Sequence, residues 1–488
     1  MPPPSKKTAP PRVAPAPEPV PTPVPSAPVE MGWLADCVYT GEKFEVGLAF
    51  FVDAAGRITR FSREPADLAI ARRLTGQAVL PGLVNAHSHA FHRVLRGRFE
   101  PRPRPERDGW AGWCEAHDRV AARIGGEDVF DVARMVFLEM LLSGITCVGE
   151  FHYLHRAPEG APESDANAMA EEILRAAHDV GIRIALLRVA WTRATPGETA
   201  RAAHPRMLTA TAEEFLRDTE ALRATIGKKY LADDAWLGVG VQNVAAVPLE
   251  YLKPIVGYAH AKRMRVHMHV SARVEENQAC VAEHGRTPIA LLAENGIVDK
   301  RFTAIHAGHL TDEEVKTLGA ARAIVCACPT TERNLGFMVA AADQLVAAGA
   351  GIALGTDSHV QIDLLEEARA VEYALRGVRE RRAVFSPEGA VALFRAATTT
   401  GARSLGATTG ALEVGRPADF FTVNLFDPTI AGAEPGALLS AILFSLQRRA
   451  IREVWIGARQ RIANGRHLNQ GPIVGRFADL QRRLWPGV

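Results

Sequence analysis

The sequence has little excess of either charge and no long hydrophobic run, and each absence excludes a class of protein. The 57 Lys and Arg residues nearly balance the 55 Asp and Glu residues, which gives a formal net charge of +2. Nucleic-acid-binding proteins normally carry a clustered basic excess, so we expect no nucleic-acid partner. No run of about 18 apolar residues is present, so we expect no membrane span.

Cysteine is also scarce, with six residues scattered over a chain of 488. This is not the dense pattern of a small secreted domain that is held together by disulfides. Most of the six lie in apolar runs, where a cysteine usually serves as a small buried hydrophobic residue. The cysteine content therefore favours a reducing cytoplasm.

Proline is unevenly distributed, because 12 of the 31 prolines fall within residues 1–30. Such a segment cannot form regular helices or hydrogen-bonded strands, and we expect it to be a disordered, Pro-rich tail. Prolines interrupt every candidate apolar core in it, so it does not resemble a signal peptide. The folded part is expected to begin at Met31.

Short, alternating segments with turn residues occur near both ends of the folded part. They include LAFFVDAAGRITRF in the N-terminal half and ALEVGRPADFFTVNL and REVWIGARQRIANGRH near the C-terminus. This pattern is typical of short strands joined by tight turns. We expect residues 31–80 and 407–475 to form one small β-sandwich, followed by a C-terminal segment, 476–488; the alternative is two unrelated β extensions.

Residues 81–406 alternate apolar strand-like runs with amphipathic helical stretches. The eight strand candidates end at or near His87, His152, Trp191, Asn243, Val270, Ala307, Cys328 and Asp357. Eight successive β-then-α units predict an α/β fold, a (β/α)8 TIM barrel. An open doubly wound sheet is the alternative, but no glycine-rich phosphate turn follows the first strand.

Histidines and one aspartate collect at the predicted strand ends, where such barrels carry their active sites. His87 and His89 lie two apart and so share one side of the first strand or its extension. A third imidazole from the fifth strand and the carboxylate of Asp357 would converge on them, and His306 ends the sixth strand. Three imidazoles and a carboxylate, with one position left for water, are typical of a catalytic zinc site.

Spacing alone leaves parts of this metal site open. His267 and His269 lie two apart on the fifth strand, so both could point into the barrel. His359 follows Asp357 by two and has no assigned role. Iron or manganese accepts the same ligand types, so the identity of the metal also stays open.

Several motifs resemble the amidohydrolase superfamily, and more narrowly its formimidoylglutamate deiminase branch. They are PGLVNAHSHAFHRVLRGR, GITCVGEFHYLH, HMHVSARVEEN, AIHAGHLTDEEV, CPTTERNLG and LGTDSHVQIDLLEEARAVE. The resemblance implies one Zn²⁺ bound by His87, His89, His269 and Asp357, with His269 chosen over His267. It also implies that His306 orients the attacking water, that Asp357 accepts its proton, and that ammonia is lost.

The sequence departs from that branch at residues that would bind substrate or move a proton. The family's glutamate three residues after the metal-binding histidine of the fifth strand is replaced by Ala272, and Glu275 and Glu276 follow one turn later. General acid catalysis contributes roughly 10² to 10⁴ in rate, so this loss is serious. The family's substrate-binding Arg on the fourth strand is replaced by Ala245.

Further departures concern the substrate itself. A carboxylate-binding Arg of the family aligns with Cys114, and the loop GFMVAA suggests an apolar pocket wall. Candidate substrate-binding residues are His92, Tyr153 and Gln242. Neither Ala nor Cys can pair with a substrate carboxylate as an Arg does. We therefore expect a less anionic substrate than formimidoylglutamate.

Three functions therefore remain open from the sequence. The first is a zinc-dependent hydrolase that cleaves a non-peptide C–N bond in a changed small-molecule substrate. The second is a genuine formimidoylglutamate deiminase of histidine degradation. The third is a metal-binding relative without hydrolytic turnover, and each is compatible with a homodimer.

Overall fold

A computed structural model describes residues 30–98, 100, 109–158, 165–193, 205–387 and 389–486. The predicted disordered tail lies outside the described residues except for Glu30. The strands are β1 (Met31–Tyr39), β2 (Phe44–Val46), β3 (Ala49–Val52), β4 (Ile58–Ser62), β5 (Arg72–Pro81), β6 (Leu83–Ser88), β7 (Ile145–His152), β8 (Arg183–Ala190), β9 (Ala235–Val241), β10 (Val266–Val270), β11 (Phe302–His306), β12 (Ile324–Ala327), β13 (Gly351–Leu354), β14 (Phe420–Asn424), β15 (Ile451–Ile456), β16 (Arg459–Ala463) and β17 (Arg466–His467).

The helices connect and cover these strands. They are α1 (Pro65–Ile70), α2 (Gly109–Ala121), α3 (Gly126–Leu142), α4 (Ala168–Val180), α5 (Ala212–Lys229), α6 (Leu249–Ala261), α7 (Val274–His284), α8 (Pro288–Glu294), α9 (Asp312–Ala320), α10 (Pro329–Leu335), α11 (Ala342–Ala348), α12 (Leu364–Arg379), α13 (Ala390–Ala396), α14 (Thr399–Leu405), α15 (Pro435–Ser445) and α16 (Gln470–Leu484). Among the described residues, no helix is both long and apolar enough to span a membrane.

Strands β6 to β13 form one parallel sheet in which each strand pairs with the next in the chain. The first and last strands meet through a parallel bridge between Ser88 and Asp357, and the amide of Thr356 donates to the carbonyl of His87 at 3.1 Å. The sheet therefore closes into the predicted (β/α)8 barrel, and the open doubly wound alternative is wrong. The eighth strand ends at Leu354 rather than at Asp357.

Helix α14 closes the barrel at the end where the strands begin. Leu405 packs inside with Val84, Cys147 and Ala185, three residues near the starts of neighbouring strands. A Cβ on Gly149 would lie 2.3 Å from Leu405 Cδ2, so only glycine lets the leucine enter. This plug leaves the opposite end, where the strands finish, as the open mouth of the barrel.

Strands from both chain ends join in one nine-stranded sheet, as predicted, with β14 pairing β5. The ring centroids of Trp33 and Trp455 lie 5.2 Å apart although two strands, β5 and β14, separate β1 from β15. In a flat sheet that separation would be about 14 Å, so the sheet curls over its own aromatic core. The layers expected of a sandwich thus come from one continuous, folded sheet.

The small sheet and the barrel meet at a buried ion pair. Arg183, on the second barrel strand, donates to both carboxylate oxygens of Asp419, at 2.6 and 3.0 Å. Helix α16 buries Ile473, Phe477 and Leu480 and packs on α3. Since α16 starts at Gln470, it crosses the boundary that we expected at residue 475.

Candidate active site

Four of the predicted ligands lie together at the open mouth of the barrel. His87, His89, His269 and Asp357 place one ligand atom each within 4.8 Å of one another. Asp357 Oδ1 lies 3.3 Å from the Nε2 atoms of both His87 and His89. The Nε2 atoms of His87 and His269 lie 3.2 Å apart. This set of donors matches the ligands that a divalent metal ion takes from proteins.

The contacts behind the imidazoles fix which ring nitrogen faces the centre. His89 Nδ1 lies 2.9 Å from the carbonyl oxygen of Phe151, and His269 Nδ1 lies 3.1 Å from that of Gln242. A carbonyl oxygen can accept a hydrogen bond only from a protonated Nδ1. The Nε2 atoms of His89 and His269 are therefore unprotonated, and their lone pairs face the other ligands. Metal-binding histidines are commonly oriented in this way, and the donor set fits a bound cation.

Burial keeps two of the imidazoles, those of His87 and His269, in the form that binds metal. It lowers the pKa of His87 to about 3 and holds the pKa of His269 well below its ordinary value. Burial alone would raise the pKa of Asp357, but its contacts with His87 and His89 hold it well below the usual range. Neutral imidazoles beside an anionic carboxylate are the protonation states that a metal requires.

His267 does not belong to this group, although it shares the inward face of β10 with His269. Its Nε2 lies 2.9 Å from the carbonyl oxygen of Ser404, in the helix that plugs the barrel. It therefore occupies the closed end, two residues below the mouth. The structure separates the two histidines that their spacing left equivalent.

His306 lies beside the four ligands and is held from behind. Its Nε2 is 3.8 Å from Asp357 Oδ2, and its Nδ1 is 3.1 Å from Glu332 Oε1. Burial alone would lower the pKa of His306, but Glu332 and Asp357 raise it above its ordinary value. Glu332 was not predicted from the sequence; it lies on α10, directly after the seventh strand.

The backbone at the mouth adopts conformations that side chains rarely allow. His306, Asp357 and His359 have φ angles of 69°, 41° and 58°. Non-glycine residues in this left-handed region are uncommon, and such strain concentrates at functional sites. Here it turns the chain sharply after β11 and β13 and aims His306 and Asp357 at the centre.

A buried network holds the seam of the barrel on which the ligands lie. Ser88 Oγ contacts Glu150 Oε2 and lies 3.0 Å from His359 Nε2, while His359 Nδ1 is 3.0 Å from Thr356 Oγ1. Burial raises the pKa of Glu150 to about 8. His359, which had no assigned role, thus links the strand that carries His87 to the loop that carries Asp357.

A cavity opens above the four ligands, and its empty space, including the part that is open to solvent, is about 890 Å³. Among the described residues, five Trp, Tyr and Phe side chains line it, together with five histidines and seven other polar or charged side chains. The described lining residues are His89, His92, Trp110, Trp113, His117, Tyr153, Trp191, Gln242, Asn243, His269, Ala272, Arg273, Glu275, Glu276, His306, Leu335, Phe337, Asp357 and Ser358. All three predicted substrate-binding residues, His92, Tyr153 and Gln242, are among them.

Tyr153 carries the main polar group of the aromatic wall. Its hydroxyl lies 2.6 Å from His92 Nε2 and 2.9 Å from His117 Nε2. The ring of His92 stacks on that of His89, with centroids 4.5 Å apart. The hydroxyl is therefore held by two imidazoles, one of which touches a candidate metal ligand.

The structure also places the acidic residues that follow the fifth strand. Glu276 is 9% exposed, and its Oε2 accepts a hydrogen bond from the amide of Ala272 at 3.0 Å. Glu275 has a side chain that is 61% exposed and lies 3.2 Å from Arg273. Only Glu276 therefore turns its carboxylate toward the position where the branch carries its glutamate.

Several lining residues were missed by the sequence reasoning. Trp110, Trp113 and His117 share one face of α2, at the i, i+3, i+7 spacing that could have revealed them. Phe337 agrees with the apolar wall expected from GFMVAA. Cys114 is buried in the same helix, outside the described lining.

Comparison with known proteins identifies the family to which this site belongs. The sequence pattern of the amidohydrolase family matches residues 78–466. The chain belongs to the amidohydrolase family. This amidohydrolase is accordingly a metal-dependent hydrolase of the deaminase-like kind. Its matched region covers the whole barrel and the strands β14 to β16 of the small sheet, but not β1 to β4.

Individual relatives resemble this amidohydrolase over most of its length. A formimidoylglutamate deiminase of Pseudomonas aeruginosa is 33% identical over 439 residues, 89% of this chain and 95% of that protein. A 5-methylthioadenosine/S-adenosylhomocysteine deaminase of Moorella thermoacetica is 26% identical over 427 residues, 84% of this chain and 87% of that protein. The crystal structure of an amidohydrolase from Brucella melitensis superposes with a TM-score of 0.84, at 29% identity, over 93% of this chain and 99% of that one.

Proposed function

We propose that this amidohydrolase is a zinc-dependent deaminase of a small, planar, largely uncharged amine or imine, and that formimidoylglutamate is not its natural substrate. The observation that carries the proposal is the wall of the cavity. Trp110, Trp113 and Phe337 face the opening, and the one cation among the described lining residues, Arg273, is paired with Glu275. Aromatic rings favour flat π systems by stacking.

The charges around the cavity argue against a dicarboxylate substrate. Glu275, Glu276 and Asp357 all line it. A substrate carboxylate needs an arginine in fork geometry, and the two positions that would carry one in the formimidoylglutamate branch are Cys114 and Ala245. The 5-methylthioadenosine/S-adenosylhomocysteine deaminases are relatives whose named substrates carry an aminated aromatic ring, which supports an aromatic amine here.

Zinc is the metal that we propose for the site. His87, His89, His269 and Asp357 would hold it, and three imidazoles with one carboxylate leave a position for water, as in catalytic zinc sites. When bound, zinc would lower the pKa of that water to about 7 and so supply a nucleophile at neutral pH. If the purified protein contained iron or manganese, the identity of the metal would be different but the four proposed ligands would be the same.

The chain's own residues divide the remaining chemistry. Asp357, held anionic, would accept the proton of the attacking water. His306, fixed by Glu332, would orient the water and stabilise negative charge that develops on its oxygen. His92, Tyr153 and Gln242 would contact the substrate from the wall.

Two other functions remain as alternatives. A genuine formimidoylglutamate deiminase is favoured by the 33% identity with the Pseudomonas aeruginosa protein. A relative without turnover is favoured by Ala272 alone, and the position of Glu276 weakens that alternative. We also propose a reducing compartment such as the cytoplasm, because all six cysteines are buried thiols.

The test is metal analysis followed by an ammonia-release screen. The panel holds neutral and cyclic amidines, aminated purines and pyrimidines, and formimidoylglutamate. We expect about one zinc per chain, ammonia from at least one aromatic amine or neutral amidine, and none from formimidoylglutamate. Ammonia only from formimidoylglutamate would support the genuine deiminase, and no ammonia from any compound would support loss of turnover.

A further inference from the structure

Glu276 lies at the start of α7, in the first turn of this helix, and lines the cavity with its side chain. Its Oε2 accepts the amide hydrogen of Ala272, three residues beyond the candidate ligand His269.

We propose that Glu276 is the residue that carries a proton to the departing nitrogen, acting from one helical turn beyond the position where the formimidoylglutamate deiminase branch has its glutamate. This inference rests on the proposed deaminase function. The methyl group of Ala272 leaves room at the cavity wall, and the carboxylate of Glu276 fills it from the neighbouring helix. The carboxylate of Glu276 thus lies at the cavity wall beside Ala272, although Glu276 comes four residues later in the sequence.

The proposed reaction consumes one water molecule and releases one ammonia molecule. One proton of the water passes to Asp357 as the water oxygen bonds to the carbon that bears the amino group, and Asp357 later returns it to the nitrogen across the former C=N bond. The second proton of that oxygen passes to the Glu276 carboxylate. The carboxylic acid then donates this proton to the amino nitrogen. The C–N bond breaks with its electron pair going to nitrogen, which leaves as ammonia, and Glu276 is again a carboxylate.

Glu275 is excluded from this role by its surroundings. Its side chain is 61% exposed and lies 3.2 Å from the guanidinium of Arg273, whereas Glu276 is 9% exposed. Arg273 in turn lies over the ring of Trp110, 5.6 Å from its centroid. Glu275 is thus directed toward solvent, whereas Glu276 is buried at the cavity wall.

The first test compares Glu276→Gln with Glu283→Gln, a matched change on the same helix where Glu283 pairs with Arg193 at the surface. On the best substrate of the wild-type protein, Glu276→Gln should lower kcat by about 10² to 10⁴ and flatten one limb of the pH profile. Metal content and KM should stay within threefold. The double variant Ala272→Glu/Glu276→Ala should have a kcat at least tenfold higher than that of Glu276→Ala. No such recovery would occur if Glu276 served only to cap the helix.

The second test does not depend on turnover. Benzamidine is a planar cation whose amidinium can donate to the Glu276 carboxylate, and benzamide is its neutral counterpart. By tryptophan fluorescence, Glu276→Gln should weaken benzamidine binding about tenfold or more and benzamide binding less than threefold. Glu283→Gln should change neither.

The two tests separate the inference from the function on which it rests. If the wild-type protein releases no ammonia from any compound, the proposed function fails and the benzamidine comparison alone decides the position of Glu276. A kcat of Glu276→Gln within threefold of wild type overturns the inference. So does a benzamidine Kd within threefold of wild type, or no binding of benzamidine to the wild-type protein.

Discussion

His87 Nε2 and His269 Nε2 lie 3.2 Å apart, and the second nitrogen of His269 is already committed to the carbonyl of Gln242. A cation bound at this point would accept a lone pair from each of these two nitrogens. We therefore expect a chelator to lower Tm by several degrees, because a ligand that binds only the folded state stabilises it by about 2.7 kcal/mol at one hundred times its Kd. Calorimetry with and without added zinc measures the shift.

Metal binding should distinguish the two histidines of β10. His269→Ala removes a ligand and should lower the metal content well below one per chain. His267→Gln changes the neighbouring inward residue, whose Nε2 lies 2.9 Å from the carbonyl oxygen of Ser404, and should leave the metal content at one. Equal metal content in the two variants would contradict the assignment of His269 as the ligand.

Tyr153→Phe should lower kcat/KM about tenfold, since it removes the hydroxyl that two imidazoles of the cavity wall share. Metal content should be unchanged, because Tyr153 is not a ligand. Tyr373→Phe, on the exposed face of α12, is the matched control. An unchanged kcat/KM in Tyr153→Phe would remove Tyr153 from the substrate-binding residues.

His267 should make the metal-free protein less stable in acid. Burial lowers the pKa of its imidazole from 6.5 to about 4, so between these values the unfolded chain binds more protons than the folded one. The contribution of the neutral His267 imidazole to the free energy of unfolding is complete above pH 6.5. It is lost as the pH falls toward 4, at about 1.4 kcal/mol per pH unit. Urea unfolding from pH 7.5 to 5 should show a smaller loss in His267→Gln than in wild type; parallel curves would contradict the shift.

The junction of the barrel and the small sheet depends on Arg183 and Asp419. Both side chains are buried, so Arg183→Ala leaves a charge without its partner and should lower the free energy of unfolding by about 3 to 5 kcal/mol. Arg223→Ala removes an exposed partner of Glu220 and should change it by less than about 1 kcal/mol. Urea unfolding measures both losses of stability. A loss in Arg183→Ala as small as that in Arg223→Ala would show that the buried ion pair contributes little to the free energy of unfolding.

The barrel, and the gathering of the four candidate metal ligands at its mouth, could be predicted because both follow from rules of topology. Parallel strands bring their carboxyl ends to one face, so residues as distant as His87 and Asp357 meet without any knowledge of the loops. Inward-facing strand residues have a period of two, which identified the pair His267 and His269. Depth in the barrel is not encoded in that period, and the choice between them needed the plug formed by α14.

The wall of the cavity could be predicted only in part, because helices outside the strands build it. The spacing of Trp110, Trp113 and His117 marks one face of α2, but not which way that face points. The role of Glu276 depends on where α7 begins and on the turn after β10. One residue of difference in that turn would direct Glu275 inward instead.

The central claim is that this amidohydrolase keeps the metal centre of its family while acting on a substrate without the carboxylates of formimidoylglutamate. The most direct measurement compares ammonia release by the zinc-loaded protein from formimidoylglutamate with release from the best aromatic amine or neutral amidine of the panel. We predict a kcat/KM at least about 10³-fold higher for the latter, lost on chelation and restored by zinc. A higher kcat/KM for formimidoylglutamate, at an ordinary enzyme rate, would contradict the account.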